Sequence, residues 1–192
     1  LGDWSHARYL TDAATIDRLL QCGDLPAAHE AAQRLLNNCR NAGETAYAGA
    51  DYDLAQAHTR LGRVLRMGGA AEAALAPLAE AHRRFQHLAD AGNASAEHMV
   101  SVAITDTADA LCALGRLEDA AEAYEKAIKL DEKAGRTRDV AVGKIQLGTV
   151  RLLQKRNAEA LEVYVEARDT FLALNEPRQV ATARLEVDPL LD

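Results

Sequence analysis

The chain has 192 residues, 48% hydrophobic and 27% charged, a balance that excludes a disordered chain and leaves room for one domain or one elongated array. Aromatics are only 4%, and 12 Gly and 4 Pro leave long stretches rich in Ala, which favours helices over strands. A net charge of −7 is not the footprint of a nucleic-acid-binding protein, and no apolar run reaches the roughly 18–20 residues that a membrane helix needs.

In chain order, apolar periodicity and turn residues predict first helices at 5–22, 46–67, 94–114 and 137–155. Second helices are expected at 26–42, 71–90, 118–134 and 158–174. A last helix at 177–188 opens on Pro177. The resulting pairs span 5–42, 46–90, 94–134 and 137–174. Pro26 suits the start of its helix, whereas Pro77 falls inside one and predicts a kink or a late start there. The chain begins with Leu1 and closes with an unpaired helix, so a piece of a larger protein is expected. Val187, Leu190 and Leu191 do not give that end the polar outer face of a terminal repeat, which fits a boundary with a neighbouring domain; the alternative is a surface for self-association through open ends.

The pairs repeat. Gly-Asp-Leu-Pro-Ala-Ala from Gly23, Gly-Ala-Ala-Glu-Ala-Ala from Gly69 and Gly-Arg-Leu-Glu-Asp-Ala from Gly115 recur at a step of 46, and Lys-Arg-Asn-Ala-Glu-Ala from Lys155 follows after 40. Each turn leads into a small–large–small stripe at helical spacing. The stripes are Ala74, Leu78, Ala81; Ala120, Tyr124, Ala127; and Ala160, Tyr164, Ala167, with a weaker Ala28, Ala32, Leu35 in the first copy. Seven residues before two of the turns, Leu61-Gly62 and Leu147-Gly148 hold equivalent places; Thr107-Ala108 holds the third. A helical Gly costs about 1 kcal/mol against Ala, so a close helix contact is expected at each.

Leu-Gly, a Gly turn and the Ala–large–Ala stripe resemble the tetratricopeptide repeat. The long period resembles the arrays of kinesin light chains and of the helical regions of bacterial STAND-class signalling ATPases. The resemblance implies an all-α fold, a right-handed α-α superhelix of four helix pairs plus a final helix. It implies a concave groove lined by first helices that holds a peptide or protein segment. A scaffold or sensor module is therefore expected; the other reading is an effector-responsive regulator whose groove takes a small peptide or ligand.

Counting from the Leu-Gly landmark, the groove-facing candidates are Gln56, Thr59, Arg60, Arg63 and Arg66 in pair two. Pair three offers Val102, Thr105, Asp106, Asp109 and Cys112, and pair four Val142, Ile145, Gln146, Thr149 and Leu152. The three arginines share one broad face and could hold an acidic partner; Asp106 and Asp109 could equally neutralise them in a structural ion-pair network. Relatives that clamp chaperone C-termini use Lys and Asn where Thr59, Arg63 and Asp106 stand, so that ligand is not implied.

Catalytic motifs are not found. The sequence contains no phosphate loop, no dinucleotide fingerprint and no HExxH, and His82 and His87 are off a shared helix face for metal. Cys22, Cys39 and Cys112 form no CxxC pair and read as free thiols of a reducing compartment, which places the expected location in the cytoplasm. No enzyme activity, cofactor, metal, nucleic acid or membrane is expected. Asn93-Ala-Ser95 matches a glycosylation sequon without a secretion signal to make it relevant.

Overall fold

The computed structural model describes residues 4–187. Among them are nine helices and no strand. The chain divides into two compact units, residues 1–114 and 115–192.

The first unit holds α1 (His6–Gln21), α2 (Leu25–Ala42), α3 (Ala50–Met67), α4 (Ala71–Asp90) and α5 (Ala94–Ala113). Its packing starts with a cluster of Tyr9, Ala13 and Ile16 from α1, Ala28, Ala32, Leu35 and Leu36 from α2, and Leu54, Leu61 and Val64 from α3. Ala74 and Leu78 of α4 pack with Ala110 of α5. The second unit holds α6 (Leu117–Lys133), α7 (Thr137–Leu153), α8 (Asn157–Ala173) and α9 (Pro177–Val187). Here Ala141 of α7, Ala167 and Phe171 of α8 and Val180 of α9 form one cluster, and Ala160 and Tyr164 form another against Ile145 and Leu152.

The repeated stripes are the buried faces of the second helices. Ala74, Leu78, Ala81, Ala120, Ala160, Tyr164 and Ala167 are fully buried, and Tyr124 is 3% exposed. The glycines stand opposite them. A Cβ built on Gly62 would lie 2.5 Å from the Leu78 side chain, and one on Gly148 would lie 2.7 Å from the Tyr164 ring. Both contacts link residues sixteen apart, so one packing device recurs in both units. The Ala residues of the stripe admit the facing helix, and the large residue fills the gap over the glycine.

Turns recur as well. Gly23 and Gly69 adopt φ of 74° and 80°, and the next amide reaches back five residues, Asp24 N–H to the Leu19 carbonyl and Ala70 N–H to the Leu65 carbonyl, both at 2.9 Å. This glycine-closed cap satisfies carbonyls that the helix end would leave bare. In the fourth copy Lys155 takes the same position with φ 62°, and Arg156 N–H reaches the Arg151 carbonyl at 2.8 Å.

Helix starts have local causes too. Asp24 and Asn93 accept from the amides of Ala27 and Ala96, each at 3.1 Å, so Asn93 of the sequon is a helix cap. The expectation of a late start at Pro77 is not met: α4 begins at Ala71 and stays helical through Pro77 to Asp90. The carbonyl that Pro77 leaves without an amide is that of Ala73, an exposed residue where water can take the amide's place. Helix α3 begins at Ala50, four residues later than expected, because residues 43–49 form a longer connection. Val187 ends the described helix α9, and the side chain of Val187 together with Leu190 and Leu191 lies outside the described residues.

Candidate functional site

In the first unit the first helices α1, α3 and α5 lie side by side, with α3 in the middle. Its arginines recur at steps of three, so they fan across one side of the helix and reach both neighbours. Arg60 Nη1 donates to Asp17 Oδ1 on α1 at 2.6 Å. Arg63 Nε lies 2.8 Å from both carboxylate oxygens of Asp106 on α5. Arg66 Nη2 lies 3.3 Å from Asp109 Oδ2. The row therefore alternates acidic, basic and acidic across three helices.

The members are not equally accessible. Asp106 is 6% exposed, whereas the Arg63 side chain keeps 45% of its surface in solvent. Burial pushes the Asp106 carboxyl up, and the hydrogen bond from Arg63 pulls it back only in part. Nε of Arg60 and Nε of Arg66 are buried without a hydrogen-bond partner, so both guanidinium groups are held by their outer nitrogens.

The other candidates separate in the same way. Thr59 is 1% exposed and its hydroxyl donates to the Ala55 carbonyl at 3.3 Å, so it belongs to the packed interior rather than to an open face. Gln56 is half-buried and donates to the Tyr52 hydroxyl at 3.3 Å, which draws it toward the ring pair of Tyr52 and Phe85. Thr105 and Val102 are half-buried on α5. Cys112 is half-buried, and burial followed by the charge of Asp109 pushes its thiol up, away from the thiolate a nucleophile needs.

In the second unit Val142, Ile145 and Gln146 of α7 are half-buried, Val142 and Ile145 against the local core. Thr149 is exposed; its hydroxyl lies 3.0 Å from the Tyr164 hydroxyl and donates to the Ile145 carbonyl. Gln146 Oε1 is buried without a partner. No described group of histidine, cysteine and carboxylate side chains could hold a metal ion, and no described helix is long and apolar enough to cross a membrane.

Sequence reasoning missed three polar features of the first unit. Asp53, 2% exposed, accepts from His6 Nδ1 and the Tyr47 hydroxyl, both at 2.7 Å on one oxygen. That contact ties the start of α1 and the α2–α3 connection to α3. His58 is 2% exposed with Nδ1 unpartnered, and burial followed by the charge of Arg40 lowers it to about 4. Beside α4, Glu44, Thr45, Asp51, Arg83, Arg84, His87 and Leu88 line a cleft of about 300 Å³. The adjacent Arg83-Arg84 is the one signal in the sequence that could have drawn attention to it.

Residues 103–134 match the tetratricopeptide repeat family. No curated protein matches the chain. Among solved structures, BtubC (BKLC) from P. vanneervenii is 22% identical with a TM-score of 0.72, covering 86% of this chain and 65% of its own. The nearly identical TPR-like repeats of a Podosopora anserina protein assigned as a kinesin light chain are 16% identical with a TM-score of 0.70, covering 96% of this chain and 92% of theirs. A Pyrococcus horikoshii signal transduction ATPase with numerous domains, which carries a tetratricopeptide repeat sensor, is 13% identical with a TM-score of 0.76; the match covers 93% of this chain and 26% of the ATPase. The fold is thus the tetratricopeptide-like helical repeat, of the kind seen in kinesin light chains and STAND sensors. The chain spans about two thirds of BtubC and about a quarter of the ATPase.

Proposed function

We propose that the chain is a protein-interaction module, a scaffold or sensor that takes a peptide or protein segment on its first-helix faces. The observation that carries this reading is the Arg63–Asp106 contact. A buried carboxylate fixes a guanidinium that is still 45% exposed, so Arg63 is oriented before any partner arrives and has less freedom to lose on binding. Arg60 and Arg66 flank it on the same helix, and together they suit an acidic side chain or a terminal carboxylate.

The face of α7 supports the same reading with different chemistry. Val142 and Ile145 offer the half-exposed part of their apolar side chains, and Thr149 is exposed beside them. An extended or amphipathic segment fits that mixture. On this reading the chain works as one segment of a larger signalling protein inside the cell, as the repeat sensor does in the ATPase it resembles. Tetratricopeptide repeats are typically non-catalytic, and the raised thiols of Cys39 and Cys112 agree with that role.

The test is a charge swap rather than a deletion. Arg63→Glu with Asp106→Arg, and Arg66→Glu with Asp109→Arg, keep each internal pair while inverting the face. Partners captured from source-cell lysate are compared between the wild-type chain and the swapped chain, with circular dichroism confirming equal helicity. Loss of a partner from the swapped chain supports recognition by the arginine row. Identical capture by both chains sinks it and makes the row purely structural.

A further inference from the structure

The connection between α2 and α3 is the place where the chain departs from its own tight turns. It runs over residues 43–49, with Gly43 and Gly49 both at φ 88°. Two side chains pin it: Tyr47 donates to Asp53, and Glu44 Oε1 accepts from Arg84 Nη1 at 2.5 Å. Between those pins stands Thr45, exposed and outside any helix. Among the described residues its hydroxyl makes no hydrogen bond. Thr11, Thr15, Thr107, Thr149 and Thr170 differ, since each lies in a helix and donates to the carbonyl four residues back.

Thr45 opens onto the cleft that Arg83, Arg84 and His87 line. Arg84 is the firmest cation there: its side chain is 18% exposed and is held by Glu80 through Nε at 2.7 Å, so its outer nitrogens are aimed rather than free to swing. The group that now receives them, Glu44, is 57% exposed and is lost to solvent at little cost. The hydrogen bond from Arg84, its charge and the more distant Arg83 and His87 hold the Glu44 carboxyl below its ordinary value, so an anion at this spot is favoured.

We propose that Thr45 is a phosphorylation site whose phosphate is received by Arg84, with Arg83 and His87 beside it, in place of Glu44. A protein kinase transfers the γ-phosphoryl group of a nucleoside triphosphate to Thr45 Oγ1. The Oγ1–P bond forms, the bond from the γ-phosphorus to its bridging oxygen breaks, the nucleoside diphosphate leaves, and the hydroxyl proton passes to the kinase's base. Thr45 is exposed in a turn closed only by Ala46 N–H to the Gly43 carbonyl at 3.3 Å, which opens to a kinase at less cost than the helix around each of the other threonines.

The phosphate brings about −1.5 to −2 charge and three acceptor oxygens against the single charge of Glu44. It is tethered one residue away from Glu44, so it competes without the entropy loss of a free ligand. Glu44 and Asp51 in the same cleft oppose it, which makes the sign of the net field the decisive quantity. Docking the phosphate on α4 replaces an exposed pin by a doubly charged one and tightens the α2–α3 connection.

The experiment uses the full chain with phosphothreonine installed at position 45 during translation. Phosphorus NMR then follows its second ionisation, which lies at about 6 for a free phosphothreonine. The expected result is a value below that reference, returning to or above it in the Arg83→Gln, Arg84→Gln chain of equal helicity. A wild-type value at or above the reference overturns the proposal, because the carboxylates then dominate the cleft. So does an unphosphorylated Thr45 in the 41–60 tryptic peptide of protein isolated from its native cells.

Discussion

Gly148 lies directly beneath the ring of Tyr164, so close that a Cβ at 148 would meet three ring atoms at 2.7, 2.8 and 2.9 Å. The ring cannot retreat. Tyr164 is fully buried, its hydroxyl is engaged by Thr149, and Ala160 and Ala167 of the same stripe are also fully buried. At Gly62 the equivalent obstacle is Leu78, with Cγ and Cδ2 both 2.5 Å from the added Cβ, and Leu78, Ala74 and Ala81 are fully buried as well.

Gly148→Ala should therefore destabilise the chain by about 1–3 kcal/mol through overpacking, despite the better helix propensity of Ala. Gly62→Ala should cost about as much, because the branch point of the fully buried Leu78 has to shift. Chemical denaturation of the two variants checks this; no loss in either would mean that the facing side chain yields at little cost.

Lys155→Gly should leave stability unchanged or raise it by up to about 1 kcal/mol. Lysine at φ 62° carries the strain of the left-handed region, and glycine at Gly23, Gly69 and Gly115 relieves it in the other copies. The gain is limited because glycine also loosens the unfolded chain. Thermal melting decides, and a clear loss would mean that the lysine side chain contributes contacts that outweigh its backbone strain.

Stability should fall between pH 6.5 and 4 because of His58. Its folded pKa is lowered from 6.5 to about 4 by burial and then by Arg40, so within that window the unfolded chain takes up the proton and the folded chain resists it. The stability conferred by the neutral ring is complete above about 6.5 and is lost as pH falls. The loss amounts to about 3 kcal/mol by pH 4 for a ring this deeply buried. His58→Leu should flatten that part of the urea-denaturation profile; an unchanged slope would assign it to other groups.

Arg63→Ala should cost about 1–3 kcal/mol at neutral pH, since it strands the buried Asp106 carboxylate. The Asp106 pKa is raised in the fold, so its contribution to stability is present below the ordinary carboxylate value. It is lost as pH rises through the raised one. Removing Arg63 enlarges that loss. Arg63→Ala with Asp106→Asn should recover part of the stability at pH 7, and denaturation at pH 4 and 7 of both variants measures the difference.

What could be read from the sequence depended on repetition. Helix ends fell within four residues because each pair carries the same turn and stripe, and Gly62 and Gly148 announced a close contact by sitting where glycine is costly. Asp106 and Asp109 were visible as partners of Arg63 and Arg66 because they sit on the neighbouring first helix at a matching offset. Asp17 was not, since Arg60 turns the other way, toward α1. Helical periodicity gives a stripe about 100° wide and does not say which edge is buried, so spacing alone puts Thr59 on the open face. The Asp53, His6 and Tyr47 contact joins two helices and a non-repeating connection, and no period exists there to be read.

The arginine row has a consequence for the strength of any encounter on that face. Each of Arg60, Arg63 and Arg66 already has a resident carboxylate, so a visiting acid does not fill a vacancy but shares each guanidinium with its tenant. The resident negative charge offsets part of the attraction for the visitor, which favours modest affinity and quick release. Added salt weakens the resident and the visitor together, so three cations should confer less ionic-strength dependence than their number suggests. A partner gains most by bringing what the tenants lack, a second carboxylate in register or apolar contact alongside.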